Sequence, residues 1–300
     1  MLILRPIIGR AGRPGGGPLV NRWAVLAIPV LVFLLVCFLA PLVIMALRSV
    51  TDLPKGSEGD ALANFRRFFG GEANLRVLGN TFWIAGLSTL GCLLIGYPYA
   101  YLMRLATPRW AGFLLIAVLV PFWSSLLVRT YAWQVILRDT GLINSTLQGW
   151  GVIDQPLDLY QTTTGVLLGM TQILLPFMVL PLFTTMARID PELTKAAANL
   201  GASPTRAFLR VFLPLSIPGV LAGSLLVFVL ALGFYITPAL LGSPKDTMLS
   251  AFIATRVQQQ LDWGLASAMA MVLIVVTLVV LFLASRVIRV RDVFGAVDGE

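Results

Sequence analysis

The side chains that most often do chemistry are scarce in this chain. None of its 300 residues is histidine, which removes histidine-based triads, imidazole acid–base pairs and histidine zinc sites. Cys37 and Cys92 stand in separate apolar runs, so they make no Cys-x-x-Cys pair and read as buried thiols. The glycine-rich stretch RAGRPGGGP follows no strand, and no Gly-Lys-Ser/Thr ending occurs in the chain, so a phosphate loop is unsupported. Chemistry of another kind is concentrated in Arg188–Pro214, RIDPELTKAAANLGASPTRAFLRVFLP. Asp190 is placed to cap a helix, with Pro191 in its first turn and Glu192 near the positive end of its dipole. Lys195, Ala196, Ala197 and Ala198 propagate that helix, and Gly201 follows Leu200 where a left-handed C-cap is expected. Ser203 and Pro204 restart the pattern as a second short helix, Pro204–Phe212, ending before Pro214. Two short helices therefore meet at a glycine corner. The three alanines let another surface approach the backbone closely, which suits a docking knob. An amphipathic connector lying on the bilayer, with Arg206 and Arg210 at the headgroups, fits the same residues.

What must position this segment is a membrane. Hydrophobic residues make up 58% of the chain and charged residues 12%, against about 25% charged in soluble domains. A hydrocarbon core about 30 Å thick takes about 20 apolar residues as a helix. Six segments fit: Ala24–Leu47, Thr81–Met103, Gly112–Leu127, Gly165–Met186, Pro218–Leu241 and Leu265–Val287. An even number puts both ends on one side. Arginine and lysine gather in both tails, at Arg104 and Arg109, and in Arg188–Arg210, so the termini and the two-helix segment are expected on the cytoplasmic side. The net charge of +8 then reflects topology, and no nucleic-acid partner is expected. The organisation read from this is a flexible cytoplasmic tail (1–22), a first transmembrane helix (23–48), a periplasmic loop (49–75), a transmembrane core (76–288) with the two-helix loop at 188–214, and a cytoplasmic tail (289–300).

Polar groups within or beside the spans are candidates for a solute pathway, because polar and ionisable residues in lipid usually face the bundle interior. They are Asn80 and Thr81 at the start of span two, Arg129, Tyr131 and Gln134 after span three, Gln172 in span four, and Tyr235 and Thr237 late in span five. Helix–helix hydrogen bonding and interfacial anchoring account for the same residues. No Asp or Glu lies inside any of the six segments, which argues against proton- or sodium-coupled carriage and against a tight cation site in this chain. No grouping of catalytic residues supports an enzyme.

The two-helix segment resembles the EAA loop of membrane subunits in bacterial binding-protein-dependent ABC importers. The family's pattern is Glu-Ala-Ala, three residues, Gly, nine residues, then Ile-x-Leu-Pro. Ala196, Ala197, Gly201, Val211, Leu213 and Pro214 fall at the matching positions, and Lys195 stands where the family has Glu. NTFWIAGLSTLGCLLIGYPYAYLM (Asn80–Met103) and PFWSSLLVRTYAWQVILRDTGLINSTL (Pro121–Leu147) resemble the polyamine branch, the PotB-like permeases of spermidine/putrescine importers. Related branches carry other small solutes, such as an amino-acid derivative or an organophosphonate. The resemblance implies an all-α integral membrane protein with six transmembrane helices and the type I ABC importer permease (MetI-like) fold, in a bacterial inner membrane. It also implies that Asp190, Glu192, Lys195, Ala196, Ala197, Gly201, Leu213 and Pro214 belong to the loop that couples to an ATPase. The implied partners are a second permease subunit, a cytoplasmic ABC ATPase dimer, a periplasmic solute-binding protein and the lipid bilayer. ATP and Mg would be used by the partner ATPase; this chain would bind no cofactor and would not itself be an enzyme.

Overall fold

The computed structural model describes residues 22–54, 56 and 59–295. The tail expected over 1–22 lies outside the described residues except for Arg22, as do residues 296–300 of the tail expected over 289–300. Every regular element among the described residues is helical. The chain divides into two units. Residues 28–45 of helix α1 (Arg22–Thr51) belong to the first, and none of them is buried; Phe33 is 66% exposed and Phe38 69%. Cys37 lies in this stretch and is exposed, so only Cys92 is the buried thiol that the sequence suggests for both.

The second unit begins at Ala46. In chain order its further helices are α2 (Ala63–Phe69), α3 (Glu72–Leu105), α4 (Pro108–Leu119), α5 (Leu126–Leu137), α6 (Leu142–Gly149), α7 (Thr163–Ala187), α8 (Pro191–Asn199), α9 (Pro204–Ala207), α10 (Leu213–Leu232), α11 (Ile236–Leu241), α12 (Leu249–Gln258) and α13 (Trp263–Gly295). Helices α3, α7 and α10 pack against one another around a core that includes Ile84, Met103, Met170, Met178, Met186 and Val227. Lipid offers no hydrophobic force to join helices, so the joint must come from close packing. Gly219 and Gly223, spaced Gly-x-x-x-Gly on α10, supply it. A methyl group at Gly223 would lie 2.9 Å from Met178 Sδ and 3.1 Å from the Met178 carbonyl, and one at Gly219 would lie 2.8 Å from the Thr185 side chain. A second cluster, with Phe68, Leu249, Leu265 and Met269, joins α2, α12 and α13.

Among the described residues, five helical runs are long and apolar enough to cross a membrane, and a sixth crossing forms if a bent pair counts as one. That pair corrects the reading of Gly112–Leu127 as a plain span. Pro108–Trp123 and the run from Leu126 meet at an angle of 98°. Twelve residues of α4 reach about 18 Å, too short to cross alone. The break has a local cause: Pro121 lies second in a 3₁₀ turn (Val120–Trp123), Ser124 donates to the Pro121 carbonyl from both its N–H (3.1 Å) and its hydroxyl (2.7 Å), and Ser125 is extended. The fifth span is also shifted. The helical run is Pro204–Leu232 rather than Pro218–Leu241, because it starts at the Ser203 cap and stops at Gly233; residues 236–241 form the separate helix α11.

Candidate functional site

The segment between α7 and α10 is an elbow. Asp190 caps α8 by accepting from the Glu192 N–H at 2.9 Å, with Pro191 in the first turn. At the other end Gly201 adopts φ +83°, which costs glycine little and other residues more. The Ala202 N–H then reaches the Ala197 carbonyl at 3.0 Å and the Gly201 N–H the Ala198 carbonyl at 2.9 Å, the paired bonds of a Schellman ending. Ser203 accepts from the Arg206 N–H at 3.4 Å and opens α9. The second short helix does not end before Pro214, as the sequence suggested. It passes through a π-helical turn, Phe208–Phe212, directly into α10, with Leu213 and Pro214 at its start. The helix runs on through Pro214, and its ladder widens just ahead of the proline.

No residue of α8 is buried. Ala196 is exposed, Ala197 half-buried, and Leu200 at the corner is 90% exposed. Lys195 and Glu192 form an ion pair at 2.8 Å, both side chains about two-thirds or more exposed (67% and 71%). The hydrogen bond and charge of Glu192 hold the Lys195 ammonium above its ordinary range. Lys195 is thus paired with a carboxylate of its own helix. A cleft of about 390 Å³ opens beside the elbow, lined by Tyr101, Arg104, Pro191, Lys195 and Phe208 among others.

What fixes the elbow to the bundle escaped the sequence reading. Arg104, in the last turn of α3, donates from Nε to the Met186 carbonyl and from Nη2 to the Ile189 carbonyl, both at 3.0 Å. It thereby ties the end of α7 and the start of the elbow to α3, placing a cation at the carbonyl end of α7. Sequence shows only an arginine near a span end, which topology alone explains. Tyr101 joins it: its ring lies edge-on to Phe208 and Phe212.

The pathway candidates separate into two kinds. Asn80 donates to the Lys245 carbonyl, Gln134 to the Leu240 carbonyl at 2.9 Å and to the Tyr160 hydroxyl at 3.3 Å, and Gln172 accepts from Trp133 Nε1 at 3.4 Å. These three hold elements together. Gln134, with a Thr130–Thr237 contact of 3.3 Å, fastens α11 to α5. Tyr131 and Tyr235 instead keep 54% and 42% of their surface exposed. Tyr235 lies in the connection after α10 rather than within a span. Arg129 sits over the Phe122 ring at 5.9 Å, and its Nε and Nη1 are buried with no hydrogen-bond partner. Asp246, outside every expected span, is a buried carboxylate that accepts from the Ser243 N–H at 3.0 Å and from the Ser243 and Thr163 hydroxyls. Among the described residues, no three His, Cys, Asp or Glu side chains converge on a point that could hold a metal ion.

Residues 23–294, which include the elbow and the apolar runs on either side of it, match the family described as binding-protein-dependent transport system inner membrane component. The chain belongs to that family. The permease is similar to the spermidine/putrescine transport system permease protein PotB of Haemophilus influenzae, with 36% identity over 211 residues, 70% of this chain and 74% of that protein. PotB of Escherichia coli K12 is 35% identical over 209 residues, 69% and 76% of the two chains. The inner membrane ABC transporter permease protein YdcU of the same organism is 35% identical over 239 residues, 74% of each. The fold matches a chain of a bacterial alginate ABC transporter, solved in complex with an alginate pentasaccharide-bound periplasmic protein, with TM-score 0.69 and 19% identity, over 89% of this chain and 94% of that one. The permease is thus a multi-pass inner-membrane protein with the all-α, six-crossing architecture of its family, the bent pair counting as one crossing.

Proposed function

We propose that this permease forms one half of the membrane passage of an ATP-driven polyamine importer, carrying spermidine or putrescine delivered by a periplasmic binding protein. The single observation that carries the mechanism is the elbow: a capped helix with no buried residue, spaced as in the family's coupling loop and pinned to two spans by Arg104. In this reading α8 docks with a cytoplasmic ABC ATPase, Asp190, Glu192, Lys195, Ala196, Ala197 and Gly201 shape the docking face, and Leu213 and Pro214 lead into the span that responds. Both termini lie in the cytoplasm, on the elbow side. The ATPase dimer binds ATP and Mg, this chain performs no catalysis, and a second permease completes the passage. The identity to PotB proteins over about 70% of the chain supports the choice of cargo.

The passage itself needs no tight cation site, because selection occurs in the binding protein. Of the pathway candidates, Tyr131 and Tyr235 carry exposed aromatic faces suited to a passing ammonium. Arg129 repels such cargo and limits its residence nearby. The test is reconstitution: the permease is purified with its neighbours and placed in liposomes with the binding protein and labelled spermidine. ATP-dependent uptake is expected. Capture of no ATPase, or uptake by this chain alone driven by a proton gradient, would refute the reading.

A further inference from the structure

The helix that leaves the elbow holds one residue too many. Pro204–Leu232 is a continuous run of 29 residues, yet between Phe208 and Phe212 the Leu213 N–H reaches back five residues, to the Phe208 carbonyl. Such a turn absorbs its surplus residue locally and leaves both flanks on their faces. Pro214 follows it directly, and a proline offers no N–H to the carbonyl four residues back, here that of Arg210.

The wide turn is gripped from α3. Tyr101 sets its ring edge-on to Phe208 at 5.3 Å and 74°, and to Phe212 at 5.0 Å and 70°. Those two rings stack on each other at 5.6 Å. One turn earlier, Tyr97 meets Phe208 at 6.4 Å and its hydroxyl lies 2.9 Å from Ser216 Oγ, on the far side of the wide turn. So α3 holds the helix both before and after the surplus residue. Arg104 fixes this same end of α3 to the end of α7. Helix α8 buries nothing of its own, and on its far side the chain leads into α10 through Phe208–Phe212. Moving the surplus residue toward the glycine corner would turn the side chains it passes by about 100°.

We propose that the Phe208–Phe212 turn is the joint that converts elbow movement into rotation of the helix feeding α10, and that Tyr101 is the positioning residue holding the joint in its wide state. This rests on the coupled-permease reading. It is tested on the reconstituted complex by deleting Leu209, an exposed residue inside the turn. The deletion removes the surplus and leaves both flanks in place. ATPase capture and basal ATP hydrolysis are expected within twofold of wild type, while ATP-driven uptake falls at least tenfold. Tyr101→Ala is expected to show the same split, and Tyr101→Phe to restore uptake. Spin labels at Leu94 and Leu200, in a Cys37→Ser background, supply a readout that mere damage would not give: the nucleotide-dependent change in their separation is present in wild type and absent after the deletion. Normal uptake and a normal distance change in the deletion variant overturn the joint. Loss of ATPase capture in that variant also overturns it, because the flanks were not kept. Failure of the wild-type chain to capture an ATPase overturns the functional reading instead.

Discussion

Replacing Arg104 by alanine should loosen the elbow without unfolding the bundle. The guanidinium makes two hydrogen bonds at 3.0 Å to carbonyls at the end of α7 and the start of the elbow. Bonds from a charged donor contribute roughly 1.5–3 kcal/mol each when well buried. Arg104 is only half-buried, and the Met186 carbonyl also accepts from backbone N–H groups of Arg188 and Ile189, so the upper figures are too large. Taking about 2 kcal/mol for the pair together, the opening equilibrium of the elbow rises about 30-fold, since about 1.4 kcal/mol is tenfold. Native-state hydrogen exchange in nanodiscs reads this directly. Amides from Ile189 to Ala202 should exchange about 30-fold faster in Arg104→Ala, while those of mid-α3 and mid-α7 stay unchanged. Arg104→Lys, which keeps the charge but cannot span both carbonyls, should fall between. Equal exchange in wild type and Arg104→Ala would refute the clamp, and with it the claim that the elbow is held from α3.

Gly223→Leu should destabilise the bundle by about 3 kcal/mol or more, because its Cβ meets Met178 Sδ and backbone at 2.9 and 3.1 Å and α7 and α10 must separate; thermal unfolding of the detergent-purified chain checks it, and an unchanged Tm argues against the close packing. Gly201→Ala has open space around it but must adopt φ +83°, so it should cost about 1 kcal/mol, read as faster exchange confined to the elbow. Gly201→Pro should be far worse, since it also removes the N–H that reaches Ala198 and cannot take a positive φ. Lys195→Glu exchanges the exposed ion pair with Glu192 for a like-charge pair; the Tm should stay within error, and ATPase capture is the measurement that decides whether this position recognises the partner.

The parts of this protein written locally were legible. The caps of α8 and α9, the left-handed glycine at 201 and the apolar runs follow from contacts between residues a few positions apart, which a sequence displays directly. The pathway candidates were legible only as polar residues in apolar surroundings. That Gln134 fastens α11 while Tyr131, three positions earlier on the same helix, is exposed depends on which face of α5 meets α11. A helix period cannot give that when hydrophobicity surrounds the whole cylinder. Asp246 was passed over for a similar reason, since a carboxylate outside the apolar runs reads as a solvated loop residue until Ser243 and Thr163 are seen to enclose it.

Composition and spacing alone determined that this chain lives in a bilayer, roughly where it crosses, and that a two-helix elbow with a glycine corner lies between the fourth and fifth apolar runs. These follow from transfer of side chains into lipid and from backbone hydrogen bonds closed within a few residues. The tertiary structure alone decided that the third run bends through 98°, that the helix leaving the elbow runs on through Pro214 with its ladder widened just ahead, and that Arg104 and Tyr101 hold that helix and the elbow to α3. Each of these is a choice between alternatives of similar local energy. Contacts between residues far apart in the chain, 82 positions for Arg104 and Met186, settle such a choice, and no local pattern carries them.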